Sequence, residues 1–518
     1  MTDLFPLVVA VPLGAAYLLP LLGRMRPRWP LDLLAILVVT FVAAFTLAGL
    51  MQGTTGTLWL GGWRPGTERS IGINMCVDGL TRLMLVTIAM VSLAGVLFSI
   101  SYMNRFTGKG LYYSLFFLML AGMNGVVLTG DLFNLFVFLE VAGIASYALV
   151  AFGCESEELE ASFKYLVLGG LGSTFILLGV ALCYNQAGTL NMAQVAQFVA
   201  AKGINPVLTL AAGLFFAGFG LKAAMVPFHA WLPDAHPSAP APISAMLSGV
   251  LIKALGVYAL CRVFFNVLGL GGGIFPLVFM ALGALSMVVG VLLAVGQWDF
   301  KRLLAYHSIS QMGYVVLAVG LAGELMAKAA VEPAAAAALQ ATAALALFGG
   351  LFHLFNHAAF KSLLFLCAGA TEYATGTREL KRLGGLTRRM PVTSACCRIA
   401  ALSISGVPPF NGFWSKLVIV LALARAGHYW LAGMTVAVSF LTLLSFVKVQ
   451  RYVLQGELRP ELAGVREAPA WMCAAMIILA LVCVGAGVLC PLIQADLLAP
   501  ARDALLNGLA YARCVLGG

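Results

Sequence analysis

Long apolar runs follow one another along the whole chain, separated by short polar breaks. A helix that crosses a bilayer needs about 20 mainly apolar residues, and these runs lack the strict alternation of a strand. The runs predict helices near 4–22, 31–51, 79–101, 111–128, 132–152, 161–184, 207–230, 241–267, 274–296, 302–322, 338–370, 391–426, 428–455 and 471–494. The pattern predicts an all-α polytopic membrane protein with about 14 transmembrane helices.

The composition supports this prediction and excludes several other classes. Of the 518 residues, 61% are hydrophobic and 10% are charged, and the mean hydropathy is +0.97. A soluble domain is usually about 45–50% apolar and about 25% charged, so no soluble fold could bury this much apolar surface. A transmembrane barrel would show short alternating strands. Secreted disulfide scaffolds, disordered chains and nucleic-acid binders are excluded by the same composition.

No motif in the sequence indicates a cofactor or a metal centre. The chain has 11 cysteines and no CxxC pair. Most of the cysteines lie inside apolar runs, so they are interpreted as small buried hydrophobic residues. A dinucleotide fingerprint and a phosphate-binding loop are also missing from the sequence. We therefore expect no cofactor and no metal ligand in this chain.

The basic residues predict how the helices are oriented. Cytoplasmic loops carry an excess of lysine and arginine. Loops after odd-numbered helices hold many basic residues: Arg24, Arg26, Arg28, Arg105, Lys109, Lys301, Arg302, Arg378, Lys381, Arg382, Arg388, Arg389 and Arg451. Loops after even-numbered helices hold few: Arg64, Arg69, Lys202 and Lys328. We predict that the odd loops are cytoplasmic and that both termini lie outside, so the net charge of +10 needs no nucleic-acid partner.

Two proline-rich segments interrupt the apolar pattern. They are GLKAAMVPFHAWLPDAHPSAPAP (220–242) and SISGVPPFNGFWSK (403–416). Proline removes a backbone donor and breaks a helix, and unwound backbone survives at membrane depth only in protein or beside a wet cavity. Two broken segments in corresponding halves are typical of transporters built from inverted repeats. A kinked packing helix explains either segment alone. His229 and His236, beside the first break, are expected near the outer surface of a cavity.

Five ionisable residues lie well inside the apolar runs. A charged side chain at this depth costs at least about 2.5–3.5 kcal/mol and therefore needs a partner or water. Snorkelling to the interface is the alternative for a single lysine, but Lys253 has apolar residues on both sides for several turns. The five residues are Glu140, Lys222, Lys253, Lys361 and Lys416.

Histidines accompany one of these lysines at helical spacing. His353, His357 and Lys361 recur every four residues and fall on one stripe of the eleventh predicted helix. Two histidines without nearby carboxylates or thiolates make a weak metal site. A proton relay is the better hypothesis, because imidazole changes charge near neutral pH. His307, in LAYHSISQMGY, is a further relay candidate, with a packing role as the alternative.

Ionisable residues at the predicted helix ends have simpler explanations. Asp78, Asp131 and Asp234 lie at predicted helix ends, where capping is the preferred interpretation and proton access is the alternative. The glutamate-rich stretch 155–160 is predicted to be a solvated cytoplasmic loop, and Lys164 is expected to snorkel.

The buried charges suggest how protons could be moved. At about 4 Å and an effective dielectric constant of about 20, a Glu–Lys pair is worth roughly 4 kcal/mol. Carrying one charge against about 100 mV requires about 2.3 kcal/mol. Opening and closing such a pair is therefore sufficient in magnitude, and the sequence leaves open whether Glu140 touches Lys222.

Several long motifs resemble one known family. They are VDGLTRL (77–83), TGDLFNLFVFLEVAGIASYAL (129–149), FGLKAAMVPFHAWLPDAHPSAPAPISAMLSGVLIKALGVYAL (219–260), LLAYHSISQMGY (303–314), FNHAAFKSLLFLCAGA (355–370) and SGVPPFNGFWSKL (405–417). They resemble the antiporter-like proton-translocating membrane subunits shared by respiratory complex I, membrane-bound hydrogenases and Mrp-type cation/proton antiporters. The resemblance runs from about residue 75 to 455.

The resemblance implies a fold of 14 helices with two inverted five-helix repeats, each containing one broken helix. The implied division is 1–110 for helices one to three, 111–267 and 268–455 for the repeats, and 456–518 for the last loop and helix.

The resemblance also implies roles for particular residues. Glu140 would pair with Lys222, Lys253 would be the central relay lysine, and the histidines with Lys361 would connect it to the second half. Lys416 would be the terminal residue, a lysine as in the complex I N-type or the Mrp D-type. In the tenth helix, His307 stands where relatives often have serine.

The leading hypothesis is a proton-translocating subunit of a redox-driven membrane complex, such as a complex I-like NADH:quinone oxidoreductase or a membrane-bound hydrogenase. Its expected partners are other membrane-arm subunits, a peripheral redox module, protons and the lipid bilayer of the cell membrane, with Na+ left open. The alternative is a subunit of an Mrp-type Na+/H+ antiporter without redox partners. A third interpretation is a scaffold that anchors a peripheral enzyme.

Overall fold

The computed structural model describes residues 2–23, 29–63, 72–269, 273–489 and 493–517, and most of them are helical. The first half contains α1 (Leu7–Leu22), α2 (Trp29–Met51), α3 (Gly79–Tyr102), α4 (Lys109–Leu128), α5 (Leu132–Val150), α6 (Ser156–Ala187), α7 (Met192–Lys202), α8 (Pro206–Lys222), α9 (Leu232–Ser238) and α10 (Ala241–Val267). Two short strands, β1 (Gly56–Trp59) and β2 (Asn74–Val77), pair antiparallel between α2 and α3.

The second half continues in the same style. Its helices are α11 (Phe275–Val295), α12 (Phe300–Val331), α13 (Ala336–Thr375), α14 (Pro391–Ser405), α15 (Asn411–Arg425), α16 (Tyr429–Leu454), α17 (Ala470–Val488), α18 (Ala499–Leu506) and α19 (Tyr511–Leu516). Helix α13 packs against α10, α12, α14, α15 and α17, so it lies in the middle of the second half.

The prediction of a helical polytopic membrane protein is confirmed. Within the described ranges, 11 helices are long and apolar enough to cross a membrane. Counting α1 and the two interrupted pairs, α8–α9 and α14–α15, as one crossing each would add three more spans. The count of 14, the inverted relation of the two repeats and the four-part division of the chain stay predictions.

Both predicted breaks occur, and the backbone at each is held by the protein. Helix α8 ends at Lys222, and Ala224 follows with a positive φ of 54°. The Val226 N–H in this break donates to Ser286 Oγ on α11 at 3.0 Å. At the second break, Ser439 Oγ on α16 donates to the Ser405 carbonyl at 3.1 Å. Each break thus has a backbone group held by a hydroxyl of a neighbouring helix, although Pro227, Pro408 and Pro409 are exposed.

Helix α10 passes through the centre of the first half and is buried along its length. Three parts of it are π-helical: Leu247–Leu251, Lys253–Tyr258 and Arg262–Val267. A Cβ atom at Gly256 would come within 2.6 Å of the Ala223 backbone. Glycine at this position therefore lets α10 approach the break that follows Lys222. π-Helical turns are rare in proteins, and those that occur are often found at functional sites.

Several local predictions are wrong. The β1–β2 pair and helix α7 occupy segments where the apolar pattern predicts no regular element. Helix α6 begins at Ser156, with Glu155 and Glu158 forming its capping box, so the glutamate-rich stretch is a helix start and not a loop. Lys301, which is predicted to lie in a loop, instead lies in the first turn of α12. It is 1% exposed and its Nζ pairs with Glu372 at 3.1 Å.

The capping predictions have mixed outcomes. Asp78 and Asp131 cap α3 and α5 by accepting the backbone N–H groups of Thr81 and Asn134. The prediction for Asp234 is wrong, because this carboxylate pairs with Lys164 and Arg302. Other residues named above lie outside the described residues: Arg24, Arg26, Arg28, Arg64 and Arg69.

Candidate functional site

The structure brings Glu140 and Lys222 together at the first break. Lys222 Nζ lies 3.6 Å from Glu140 Oε1 and donates a hydrogen bond to the Tyr147 hydroxyl at 3.1 Å. Ser173 Oγ on α6 donates to the same carboxylate oxygen. The Lys222 side chain is 3% exposed and that of Glu140 27%. Lys222 is thus a buried ammonium held by one carboxylate and one hydroxyl.

Aromatic rings connect this pair to the interrupted helix. Tyr147 packs edge-on against Tyr165 at 4.5 Å, and Tyr165 stacks on Trp231 at 4.0 Å. Trp231 Nε1 donates back to the Leu221 carbonyl at 3.0 Å, one residue before Lys222. Movement of the segment between α8 and α9 would therefore also displace Tyr147, the hydroxyl partner of Lys222.

Lys253 lies in the π-helical part of α10 and is completely buried. Its Nζ donates to the Ser248 carbonyl at 2.5 Å. The Ser248 hydroxyl lies 2.7 Å from the Ser308 hydroxyl on α12. This serine pair joins the helix of the central lysine to the second half of the molecule.

The predicted stripe on α13 is real and is buried in full. His353, His357 and Lys361 are all 0% exposed. His353 Nδ1 lies 3.0 Å from Ser415 Oγ on α15. The two ring nitrogens of His357 and the Lys361 Nζ have no hydrogen-bond partner among the described residues. His357 and Lys361 are therefore buried polar groups without a hydrogen-bond partner in the described part of the chain.

Lys416 closes the row next to the second break. Its Nζ donates to the Ile404 carbonyl at 2.7 Å and to Ser439 Oγ at 3.1 Å, and it lies 5.0 Å from the Tyr314 ring centre. The ring centres of Tyr314 and His353 are 5.2 Å apart. Tyr314 therefore sits between the α13 stripe and Lys416.

His307 is buried but lies beside a different helix. Its Nε2 is 2.8 Å from Ser445 Oγ on α16, and its ring centre lies 4.9 Å from that of Phe446. Its neighbour Ser308, one position along α12, makes the contact with Ser248. His307 is thus close to the row without a hydrogen bond to another relay candidate.

The distribution of charge along the row is uneven. Lys222 has a carboxylate partner, whereas Lys253, Lys361 and Lys416 contact no carboxylate in the described part of the chain. An ammonium buried without a partner is costly. Between Lys222 and Lys253, the structure as described shows backbone packing through Gly256 and no side-chain hydrogen bond. The row therefore has one ion pair at its start, followed by three amines that have no carboxylate partner among the described residues.

Sequence reasoning missed several polar neighbours of the row. Tyr147, Ser173, Ser248 and Ser308 are ordinary small or aromatic residues within apolar runs, and only tertiary contacts reveal them. The prediction that His236 lies near the outer surface of a cavity is wrong, because its side chain is 0% exposed. The His236 ring packs at 4.5 Å on Phe365, a ring that Lys361 Nζ also approaches at 5.6 Å. Its position on the inner face of α9 could not be read from the proline-rich segment.

The described residues provide no set of ligands for a metal ion. No group of three or more histidine, cysteine, aspartate or glutamate side chains there could hold an ion.

Comparisons with known proteins agree with this architecture. A family model described as "NADH:quinone oxidoreductase/Mrp antiporter, TM" matches residues 129–442, and one described as "NADH-Ubiquinone oxidoreductase (complex I), chain 5 N-terminus" matches residues 63–117. The D subunit of the Na+/H+ antiporter of Alkalihalophilus pseudofirmus is 35% identical over 82% of this chain and 81% of its own length.

Two further similarities cover nearly the whole chain. The N subunit of the NADH-quinone oxidoreductase of Desulforudis audaxviator is 34% identical over 89% of both proteins. In the solved structure of the Mrp complex from Dietzia sp., one chain matches with a TM-score of 0.87 and 30% identity, covering 100% of this chain and 99% of that one. The fold and these similarities thus define an antiporter-like membrane subunit. The chain belongs to the family of membrane subunits common to NADH:quinone oxidoreductases and Mrp antiporters, as the sequence motifs imply.

A double-mutant cycle tests whether Glu140 and Lys222 interact. We expect Glu140→Gln and Lys222→Met each to destabilise the protein, and the double variant to lose less than the sum. The interaction energy should be about 1–3 kcal/mol because the pair is close and Lys222 is buried. Thermal unfolding of the purified protein measures it.

The exposed pair Glu160–Lys164 on α6 is the matched control. Its atoms are 2.7 Å apart, but both side chains are largely in solvent. Such an i,i+4 pair contributes about 0.3–0.5 kcal/mol. An interaction energy for Glu140–Lys222 no larger than this would contradict the contact.

Proposed function

We propose that this protein translocates protons across the membrane through the buried row Glu140, Lys222, Lys253, His357, Lys361, His353 and Lys416, with His307 beside it. The observation that carries the proposal is the Glu140–Lys222 pair, at 3.6 Å, at the start of a row of buried amines that have no carboxylate partner among the described residues. A buried ionisable residue in a membrane span is by default a sign of transport.

The energy available in this pair is large enough. At 3.6 Å and an effective dielectric constant of about 20, the attraction is roughly 5 kcal/mol. Transfer of one charge against about 100 mV requires about 2.3 kcal/mol. A conformational change that opens or closes the pair can therefore drive a proton against a membrane potential.

The chemistry of the row supports stepwise transfer. Opening the pair leaves the Lys222 proton without its counter-charge, which favours its passage to the next amine. Because buried like charges repel, a proton that arrives at Lys253 favours proton release further along, at Lys361. His353 and His357 can accept and donate protons between the lysines. At the end of the row, the Ile404 carbonyl and Ser439 hydroxyl can hold a proton on Lys416.

Proton uptake by vesicles that contain the reconstituted complex tests the relay. We expect Glu140→Gln and Lys222→Met to abolish driven proton uptake while the complex still assembles, because each removes one partner of the switchable pair. Lys328→Met is the control, since this lysine lies 45% exposed in an i,i+4 pair with Glu324. Undiminished uptake by the first two variants would remove the relay proposal and favour a scaffold role.

We propose that this chain is a subunit of a redox-driven complex of the complex I or membrane-bound hydrogenase type. The complex would lie in the cell membrane, and both termini of this chain would lie outside. Its partners would be other membrane subunits and a peripheral redox module. Support comes from the alignment with the N subunit of an NADH-quinone oxidoreductase along 89% of both chains.

A second candidate is a subunit of an Mrp-type Na+/H+ antiporter. It is favoured by the 35% identity to the D subunit of a Na+/H+ antiporter and by the TM-score of 0.87 with a chain of an Mrp complex. In that case the ion exchanged for protons would be Na+, and no redox module would be present.

Purification of the intact complex from its own membranes distinguishes the two candidates. We expect mass spectrometry to identify companions with iron–sulfur, nickel or quinone sites, and proton uptake to start with an electron donor and not with a Na+ gradient. Small membrane subunits without redox centres, together with Na+-driven proton movement, would contradict the redox proposal and support the antiporter.

A further inference from the structure

A buried ion pair lies near the C-terminal end of α10. Arg262 donates from both terminal nitrogens to the two carboxylate oxygens of Asp78, at 2.6 and 2.8 Å. The Arg262 side chain is 3% exposed and that of Asp78 22%. Burial alone would raise the pKa of Asp78, but the Arg262 charge and the hydrogen bonds from Arg262 and Thr81 outweigh it and lower that pKa. The pair is therefore charged at neutral pH.

The pair continues a polar line that begins at the central lysine. Lys253, Tyr258 and Arg262 follow one another at spacings of five and four residues, and a π-helical turn places such positions on one face. Arg262 Nε donates to the Tyr258 hydroxyl at 3.3 Å, and that hydroxyl donates to the Val127 carbonyl at 2.6 Å. Tyr258 therefore lies about one helical turn beyond Lys253 and contacts the ion pair, while the Lys253 amine itself donates to the Ser248 carbonyl.

Beyond the pair lies a cavity that reaches the surface. Its volume is about 340 Å³, and its lining includes Asp78 and the exposed residues Asp503, Asn507 and Cys514. Arg82, only 9% exposed, also lines it, and its Nε makes no hydrogen bond to any residue the structure describes. The cavity therefore offers room and polar groups for water up to the Asp78 carboxylate.

The C-terminal helices form one wall of this cavity and are tied to the end of α10. Asn266 Nδ2 donates to the Ala504 and Gly508 carbonyls at 2.8 and 3.1 Å. The Tyr511 ring centre lies 5.1 Å from the Arg262 guanidinium. Any shift of α18 and α19 would therefore change the surroundings of the ion pair.

We infer that Lys253 has its own access path to the predicted outer face, along Tyr258, Arg262 and Asp78 into this cavity, and that the Arg262–Asp78 pair keeps the path closed to protons except during driven transfer. This inference rests on the proposed proton relay. A fixed guanidinium in a narrow path is an electrostatic barrier to protons and cations. In the structure, Arg262 stands between Tyr258 and the cavity, and Asp78 holds it there.

Passive proton leak into vesicles tests the barrier. The intact complex is reconstituted without substrate, and an imposed membrane potential drives protons toward an internal pH dye. We expect Asp78→Asn combined with Arg262→Gln to raise the leak several-fold, because the double variant removes the charge and keeps similar side-chain size. Adding Lys253→Met should return the leak to the native level, since the path would no longer reach a proton carrier.

A second buried pair supplies the control. Lys109 and Asp32 lie 2.8 Å apart, with side chains 7% and 25% exposed, in the packing of α2 against α4. Lys109→Gln combined with Asp32→Asn removes an equally buried pair away from the cavity, and we expect no leak from it. An unchanged leak in the Asp78/Arg262 double variant, or a leak that persists with Lys253→Met, would overturn the inference and leave the pair as a structural tie.

Tyr258→Phe keeps the test decisive if the double variant fails to assemble. It removes only the hydroxyl that accepts from Arg262 Nε, and we expect driven proton uptake to fall several-fold with assembly unchanged. Full uptake by this variant would overturn the access path. The two proposals fail separately: normal uptake in Glu140→Gln refutes the relay, whereas blocked uptake in Glu140→Gln without a leak in the double variant refutes only the access path.

Discussion

The cost of placing charge inside hydrocarbon governs this structure. Every backbone group at membrane depth must be paired within the protein, and every buried charge needs a counter-charge, a hydrogen bond or water. The chain meets the first condition at its two breaks with hydroxyl groups from neighbouring helices, Ser286 and Ser439. It meets the second only in part, because Lys222 has a carboxylate partner and the lysines beyond it, in the part of the chain that the structure describes, do not. In the proposed relay, that imbalance would make the row responsive to the movement of a single proton.

The two breaks place the ends of the row where the helices are interrupted. Lys222 is the last residue of α8, and Lys416 lies in the second turn of α15, close to the break after α14. The residues between them sit on continuous helices, α10 and α13, whose packing is fixed by Ser248, Ser308 and close backbone contact at Gly256. Continuous helices in the middle and interrupted helices at both ends suit the proposed relay, in which conformation would control the entry and exit of protons. The same physics applies whether a redox module or a Na+ gradient supplies the energy.

The sequence alone is sufficient to predict features that are unusual in a membrane helix. Prolines at 227 and 409 and lone charges such as Lys253 are costly in an apolar run, so both breaks and the row could be predicted. Ser248, Ser308 and Tyr147 could not, because a hydroxyl in an apolar helix is common and its partner is set by the tertiary fold. Arg262 is open to the same reasoning as Lys253, since it too stands in an apolar run, yet its partner Asp78 lies 184 residues away. The burial of His236 could not be predicted, because a short helix in a proline-rich segment shows no periodicity that reveals its buried face.

The most direct measurement of the central claim is a high-resolution electron cryo-microscopy map of the intact complex in lipid, at a resolution that shows ordered water. The account predicts the amine groups of Lys253, Lys361 and Lys416 at mid-membrane depth, with ordered waters bridging them to His357 and His353. Dry apolar packing between these groups, or lysine side chains that extend to the lipid headgroups, would contradict it.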